Sequence, residues 1–241
     1  MREGAVAVID ALGFRGIWRR YPPEIVIENM QRVKDQFEKD LREIGDQSKI
    51  QFDAAFLSDT IIIGLSLPDN DFREKALSII YVTDVLTRIL AWSARSSTPL
   101  SYRGAVSYGK YIIEPSFIVG EAIDEATIYH ESAQGALVWL LPNTKDIVAD
   151  WLRNQPKNTH LVKSDVPLKN GNTFHTYTVS PIVQTSDIRD AIDLTLKILD
   201  TFKTTNIEIS VKKQNTIKHL QACYERNSQK WCLRASSRVL L

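Results

Sequence analysis

Cysteine is nearly absent: Cys223 and Cys232 are the only two in 241 residues, and both lie near the end of the chain. Two thiols cannot build a disulfide framework or a cysteine zinc cluster. No run reaches the roughly 18 consecutive apolar residues of a membrane span. The opening MREGAVAVID is apolar for too short a stretch to act as a signal peptide. Charge of one sign is missing as well. Lys+Arg 30 against Asp+Glu 29 leaves a formal charge of +1, so no bulk field draws in nucleic acid or an anionic membrane. With 10 Gly and 9 Pro there is no low-complexity tract, and no internal repeat is present. These absences lead to the expectation of a cytoplasmic, reduced protein with neither a nucleic-acid nor a membrane partner.

What is present is an ordinary globular composition, 44% hydrophobic and 24% charged, in a chain long enough for one domain with additions. Residues 5–9, AVAVI, read as a buried strand ending at Asp10. Between Pro22 and Ile44, Ile25, Ile27, Val33, Phe37 and Leu41 recur among charges, which predicts one or two helices. Residues 50–57 and 60–67 are strands around a Ser58-Asp59 hairpin tip, and Phe72–Trp92 is a long amphipathic helix. A strand over 102–108, short β pieces at 111–113 and 117–119, and a helix from Ala122 to Ala133 follow. That order is an α+β, ferredoxin-like split βαβ pattern. Leu137–Leu141 is a strand or helix start, Asp146–Arg153 a short helix, and Thr173–Val179 a closing strand after a turn at Asn170-Gly171. Pro181 marks the expected boundary between a main domain, 1–181, and a C-terminal helical extension, 182–241, with helices at 186–203 and 212–226.

Two acids stand out. Asp10 ends an apolar strand and precedes Ala11-Leu12-Gly13-Phe14, while Asp59 sits on a hairpin tip. Neighbouring strands in a split βαβ sheet can bring both carboxylates to one point, where their mutual repulsion calls for cations. Mg²⁺ or Mn²⁺ suits oxygen donors, and backbone N–H groups from Leu12 to Gly16 would face a polyphosphate. Such a site supports two-metal phosphoryl transfer. Aspartates at strand ends and hairpin tips are also common turn formers, so spacing alone leaves both readings open.

The surrounding residues add a resemblance. VAVIDALGF and FLSDTIIIG are similar to the two metal-binding segments of class III nucleotidyl cyclases, with Ser58 where the family has Gly. YRGAVSYG resembles the family's next strand, and SFIVGEAIDEATIYHE resembles the Gly-led helix that supplies transition-state residues. The segments occur in family order over about residues 5–135. The resemblance implies that Asp10 and Asp59 hold two Mn²⁺ or Mg²⁺ ions, aided by the Ala11 carbonyl. Leu12, Gly13 and Phe14 would cradle the triphosphate. It also implies a head-to-tail homodimer with active sites at the interface.

Departures from the family narrow the expectation. The positions whose Lys and Asp read the purine in adenylate-forming members are Ala55 and Phe117. Those whose Asn and Arg serve the transition state are Asp124 and Ile128. Arg103 is the preferred substitute for phosphate or base contact, although ordinary ion pairing explains it equally well. His130, a lone helical histidine, can donate to phosphate but is more often structural. Phe52, Tyr102 and Tyr108 are aromatic candidates for a base pocket, against the commoner role of core residues.

These losses resemble the pyrimidine cyclases of bacterial anti-phage signalling. The implied activity is a uridylate cyclase making 3′,5′-cyclic UMP and pyrophosphate from UTP, with cyclic UMP passed to a separate effector. Cyclic CMP from CTP is the alternative. A nucleotide-binding domain without turnover is a further one, favoured by Ile128 and opposed by retention of both acids. A dinucleotide-forming polymerase-like enzyme is disfavoured, because Ser58-Asp59-Thr60 lacks the paired acids of that class. The Lys- and Arg-rich stretch from Lys212 to Arg238 reads as a solvated helix face, its Tyr224, Trp231 and Cys232 packing on the main domain or a partner.

Overall fold

A computed structural model describes residues 1–45, 50–69, 71–154, 160–182, 188–202 and 206–238, the side chains of 43–45, 154, 188 and 227–238 excepted. A twisted sheet runs in the order β2-β3-β1-β4-β6-β8-β7, with β5 added on β4. Its first half is β1 (Arg2–Ala11), α1 (Pro23–Gly45), β2 (Gln51–Leu57), β3 (Thr60–Ser66), α2 (Phe72–Arg95) and β4 (Tyr102–Glu114). All neighbours in β2-β3-β1-β4 are antiparallel, which is the expected ferredoxin-like split βαβ arrangement. β5 (Phe117–Val119), α3 (Glu121–Tyr129), β6 (Val138–Leu140), α4 (Pro142–Asn154), β7 (Leu161–Pro167) and β8 (Thr173–Val179) complete the sheet. α5 (Ile188–Asp200) and α6 (Ile207–Arg238) follow it.

The period of two along β1 divides its side chains between two cores. Ala5, Ala7, Ile9 and Ala11 join Ile61, Ile63 and Leu65 beneath α1, α2 and α4. Val6 and Val8 join Ile62, Tyr111 and Ile113 beneath α3. Being covered on both faces, β1 is a continuous apolar run rather than an alternating one.

α1 is a single helix, and its buried stripe passes through Val26, Asn29, Val33, Phe37 and Asp40. Ile25 and Ile27, expected on that stripe, are exposed instead. They flank Val26 by one residue, a rotation of about 100° away from the core. α2 is capped by Asp71, whose side chain accepts from the Glu74 N–H at 2.7 Å. By length and composition α2 is also apolar enough to cross a membrane, which the count of consecutive apolar residues had missed. However, 67% of its most apolar 18-residue stretch is buried inside the fold.

Other elements also differ from expectation, with α4 starting at Pro142 rather than Asp146 and α6 running over Ile207–Arg238 rather than 212–226. β4 continues through Gly109 to Glu114, because β1 pairs with it from Tyr102 to Tyr111 and carries it across the glycine. α3 stops at Tyr129, four residues short of Ala133, and Ala133 instead forms a bridge with Leu168. β7 had no clear sequence signature, since Lys163, Ser164 and Asp165 interrupt its apolar residues. It pairs in register with β8 from Leu161↔Val179 to Pro167↔Thr173, and Pro167 is tolerated because β7 is an edge strand.

The C-terminal helices are docked. Ala191, Leu194, Ile198, Leu220 and Cys223 pack against Ala91 and Ala94 of α2, Val162 and Ile182. Thr216 Oγ1 accepts from the Ala136 N–H at 2.9 Å, and Asn215 Nδ2 donates to the Gln134 carbonyl at 2.7 Å. Tyr224 packs on the same cluster, whereas the side chains of Trp231 and Cys232 lie outside those described.

Candidate active site

β1 and β3 run antiparallel, and in their register Asp10 lies opposite Thr60, the residue after the hairpin tip. The Ala11 N–H donates to the Asp59 carbonyl at 3.1 Å, tying that tip to the end of β1. Ser58 takes a left-handed backbone, φ 59°, and with Asp59 turns the chain in two residues. Both acids therefore stand at one end of the sheet centre because strand pairing ends there.

Beyond Ala11, the Leu12 N–H donates to the Ser101 carbonyl at 2.7 Å. Gly13 then turns with φ 74°, which favours glycine, into a short 3-10 helix over Phe14–Arg19. The Phe14 ring is buried in the core and meets Trp18 edge-on at 5.6 Å between centroids. Any contact of Phe14 with a ligand therefore falls to its main chain. The Gly13 carbonyl is occupied by Arg20 Nη2 at 3.1 Å.

Across the sheet, Arg103 of β4 pairs in register with Asp10. Its Nη2 donates to Asp10 Oδ2 at 3.2 Å and reaches Glu131 Oε1 at 2.9 Å. The Arg103 side chain is only 10% exposed, and its Nε is buried without a hydrogen-bond partner. Glu131 in turn meets Lys169 Nζ at 3.2 Å. Burial raises the Asp10 pKa above 3.8, repulsion from Asp59 raises it further, and Arg103 acts the other way. Burial also acts to raise the Glu131 pKa, but Arg103 and Lys169 outweigh it and hold that group below its ordinary range.

Asp10 thus has both the reason and the atoms to take a cation. It is a half-buried carboxyl with a second acid beside it, and charge neutralisation would relieve both penalties. The Ala11 N–H ties the end of β1 to the hairpin tip, and the Asp59 charge acts on Asp10. The only potential metal-binding group of three or more His, Cys, Asp or Glu side chains found among the described residues is Asp10 with His130 and Glu131.

The structure brings Asp10, Ala11, Asp59 and Arg103 to this end of the sheet, with Leu12, Gly13 and Phe14 on the turn beside it. Ala55 is half-buried on β2, whereas Phe117, Asp124 and Ile128 are exposed. Tyr102 is buried in the core, and Phe52 and Tyr108 pack against that core half-buried. Sequence reasoning missed Glu131 and gave His130 no place near Asp10. Both follow the end of α3, and only the sheet geometry sets that end beside β1.

No family model matches the chain, and no curated protein matches it in sequence. Solved structures do share its fold. The dimeric guanylyl cyclase domain of the RhoGC fusion protein from the aquatic fungus Blastocladiella emersonii aligns at TM-score 0.53 and 10% identity, covering 74% of this chain and 96% of that one. The guanylate cyclase domain of RhGC from Catenaria anguillulae, in complex with GTP, aligns at TM-score 0.52 and 11% identity, with the same coverage. A rhodopsin-guanylyl cyclase catalytic core with converted specificity, in complex with ATPalphaS, gives TM-score 0.52 and 11% identity over 74% of this chain and 95% of that one. The mixed sheet-and-helix fold is that of class III cyclase catalytic domains.

Proposed function

We propose that this protein is a nucleotidyl cyclase that closes a nucleoside triphosphate into a 3′,5′-cyclic mononucleotide and releases pyrophosphate. The observation that carries the reading is the meeting of Asp10 and Asp59 at adjoining strand ends within a cyclase-type sheet. In the reaction the ribose 3′-oxygen attacks the α-phosphorus, the bond from that phosphorus to the α,β-bridging oxygen breaks as pyrophosphate leaves, and the hydroxyl proton passes to water. Two divalent ions held by Asp10, Asp59 and the Ala11 carbonyl would supply Lewis acidity to the attacking and leaving oxygens.

The rest falls to the chain. Gly13 and Phe14 border the triphosphate with their main-chain N–H groups, whereas the Leu12 N–H, expected among them, is held by the Ser101 carbonyl. Arg103 replaces the arginine that Ile128 lacks, exchanging its carboxylate partners for phosphate oxygens. UTP is the proposed substrate on the resemblance to uridylate cyclases, while Ala55 and Phe117 at the base-reading positions argue only against an adenine-reading pocket of the usual kind. The biological assignment is second-messenger synthesis in anti-phage defence, acting through a separate cyclic-nucleotide effector.

The proposed working unit is a homodimer. Phe117, Val119, Ile128 and Tyr129 are large apolar side chains left exposed on β5 and α3, which suits a face covered by a second copy.

Incubation with ATP, GTP, CTP or UTP in Mn²⁺, followed by mass spectrometry, tests the activity. Cyclic UMP from the parent and none from Asp59→Ala is the expected result, the loss exceeding about 100-fold, the upper end for losing a mere supporting contact to a metal ligand. Cyclic CMP alone would transfer the assignment to CTP. No cyclic product from any triphosphate would overturn the reading.

A further inference from the structure

Asp10, His130 and Glu131 each offer one ligand atom, and these atoms all lie within 4.8 Å of one another. A divalent ion with bonds of about 2.0–2.2 Å needs donors roughly 3–4 Å apart. Closing to that spacing requires Arg103 to withdraw from between the two carboxylates. Three features make the group more than a cluster of acids. The first is the imidazole: His130 Nδ1 lies 2.6 Å from the Thr127 carbonyl. A carbonyl only accepts, so Nδ1 carries the proton and the Nε2 lone pair is left to bind. Ligating histidines are oriented in this way by a backbone carbonyl. The second is that a cation already sits between the two carboxylates. Arg103 Nη2 touches Asp10 at 3.2 Å and Glu131 at 2.9 Å. The third is that Glu131 is braced from outside by Lys169, so its carboxylate has a partner fixing its second oxygen.

We propose that Asp10, His130 and Glu131 of one chain form a mixed nitrogen–oxygen site for a divalent cation, with Arg103 as the resident cation that the metal displaces. The site deepens the cyclase reading and rests on it for its purpose. Asp10 is common to this donor set and to the Asp10–Asp59 pair, so one carboxylate would serve both ions. All three donors come from the same chain. An imidazole ligand turns the site towards Mn²⁺ or another borderline ion and away from Mg²⁺, which keeps to oxygen ligands and water.

Mn²⁺ titration of the full chain without nucleotide, read by electron paramagnetic resonance, tests this directly. Bound Mn²⁺ should show nitrogen hyperfine coupling in pulsed spectra of the parent. The coupling should persist in Asp59→Asn and vanish in His130→Gln. Glu131→Gln should weaken nucleotide-free Mn²⁺ binding by about tenfold or more, and Arg103→Gln should tighten it. Mn²⁺ bound without nitrogen coupling in the parent would overturn the site and leave the two-aspartate reading standing. So would coupling that survives His130→Gln, and so would absence of Mn²⁺ binding by the parent at millimolar ion. Nitrogen coupling in a protein that cyclises no triphosphate would uphold the site while the cyclase reading fell.

Discussion

Outside the site, burial acts on Asp84 and His219 in ways that give opposing pH responses. Asp84 of α2 has one carboxylate oxygen buried without a hydrogen-bond partner. Desolvation raises its pKa from 3.8 to about 7, against a smaller opposing effect of Arg88. A carboxyl raised on folding favours the native state at low pH, and that advantage is lost as pH climbs from 3.8 to about 7. His219 of α6 behaves in the opposite sense. It is fully enclosed, and burial lowers its pKa from 6.5 to about 4, so stability is lost as pH falls through that interval. In the shared window the two slopes offset. Asp84→Asn should therefore unmask the histidine: its Tm should fall more steeply than the parent's on acidification from pH 6.5 to 4. At pH 8 the variant should be more stable, on the order of 2 kcal/mol after allowing for screening of a carboxyl that is 30% exposed. Parallel Tm profiles for the two proteins would refute this account.

At the scale of single elements, Gly120 is the joint between β5 and α3. Its φ is 138°, and a Cβ there would stand 2.4 Å from the Lys110 carbonyl oxygen. Gly120→Ala must shift the start of α3 and with it the far end that carries His130 and Glu131. The expected outcome is a loss of about 1–3 kcal/mol in chemical denaturation, with Mn²⁺ affinity falling as well. Phe37 shows what packing contributes elsewhere. It is buried where α1 meets β2, edge-on to Phe56 at 5.7 Å, so Phe37→Ala should cost about 3–5 kcal/mol in the same assay. Several of these elements were legible because their patterns are strong. β1 and β3 are unbroken apolar runs, and α2 carries apolar residues round most of its surface. α1 was legible in extent but not in face, since Ile25, Val26 and Ile27 are chemically alike and only the contact with the sheet selects Val26. β7 was illegible because its own side chains do not alternate and pairing with β8 alone makes it a strand.

For the whole molecule, the extension formed by α5 and α6 is not an appendage. Leu220 and Cys223 are buried against α2 and β7, and desolvation pushes the Cys223 thiol up to about 12. That thiol should accordingly resist alkylation in the native protein and react on unfolding. The proposed homodimer makes a separate prediction. Ile128 is 68% exposed on α3, so Ile128→Glu should leave the fold intact and split the dimer. Sedimentation velocity reads the mass, and an unchanged sedimentation profile would remove this face from the interface.

The sequence by itself determined the order of elements through α3, the split βαβ pattern and the two acids worth watching, because apolar periodicity and turn chemistry are local. It also placed Arg103 among the candidates, leaving ion pairing and phosphate contact equally open. Only the tertiary structure decided that Arg103 bridges Asp10 and Glu131, and that the end of α3 reaches β1. Those contacts join residues about 30 to 120 positions apart in the chain. They arise from strand register and helix placement, which no local pattern encodes.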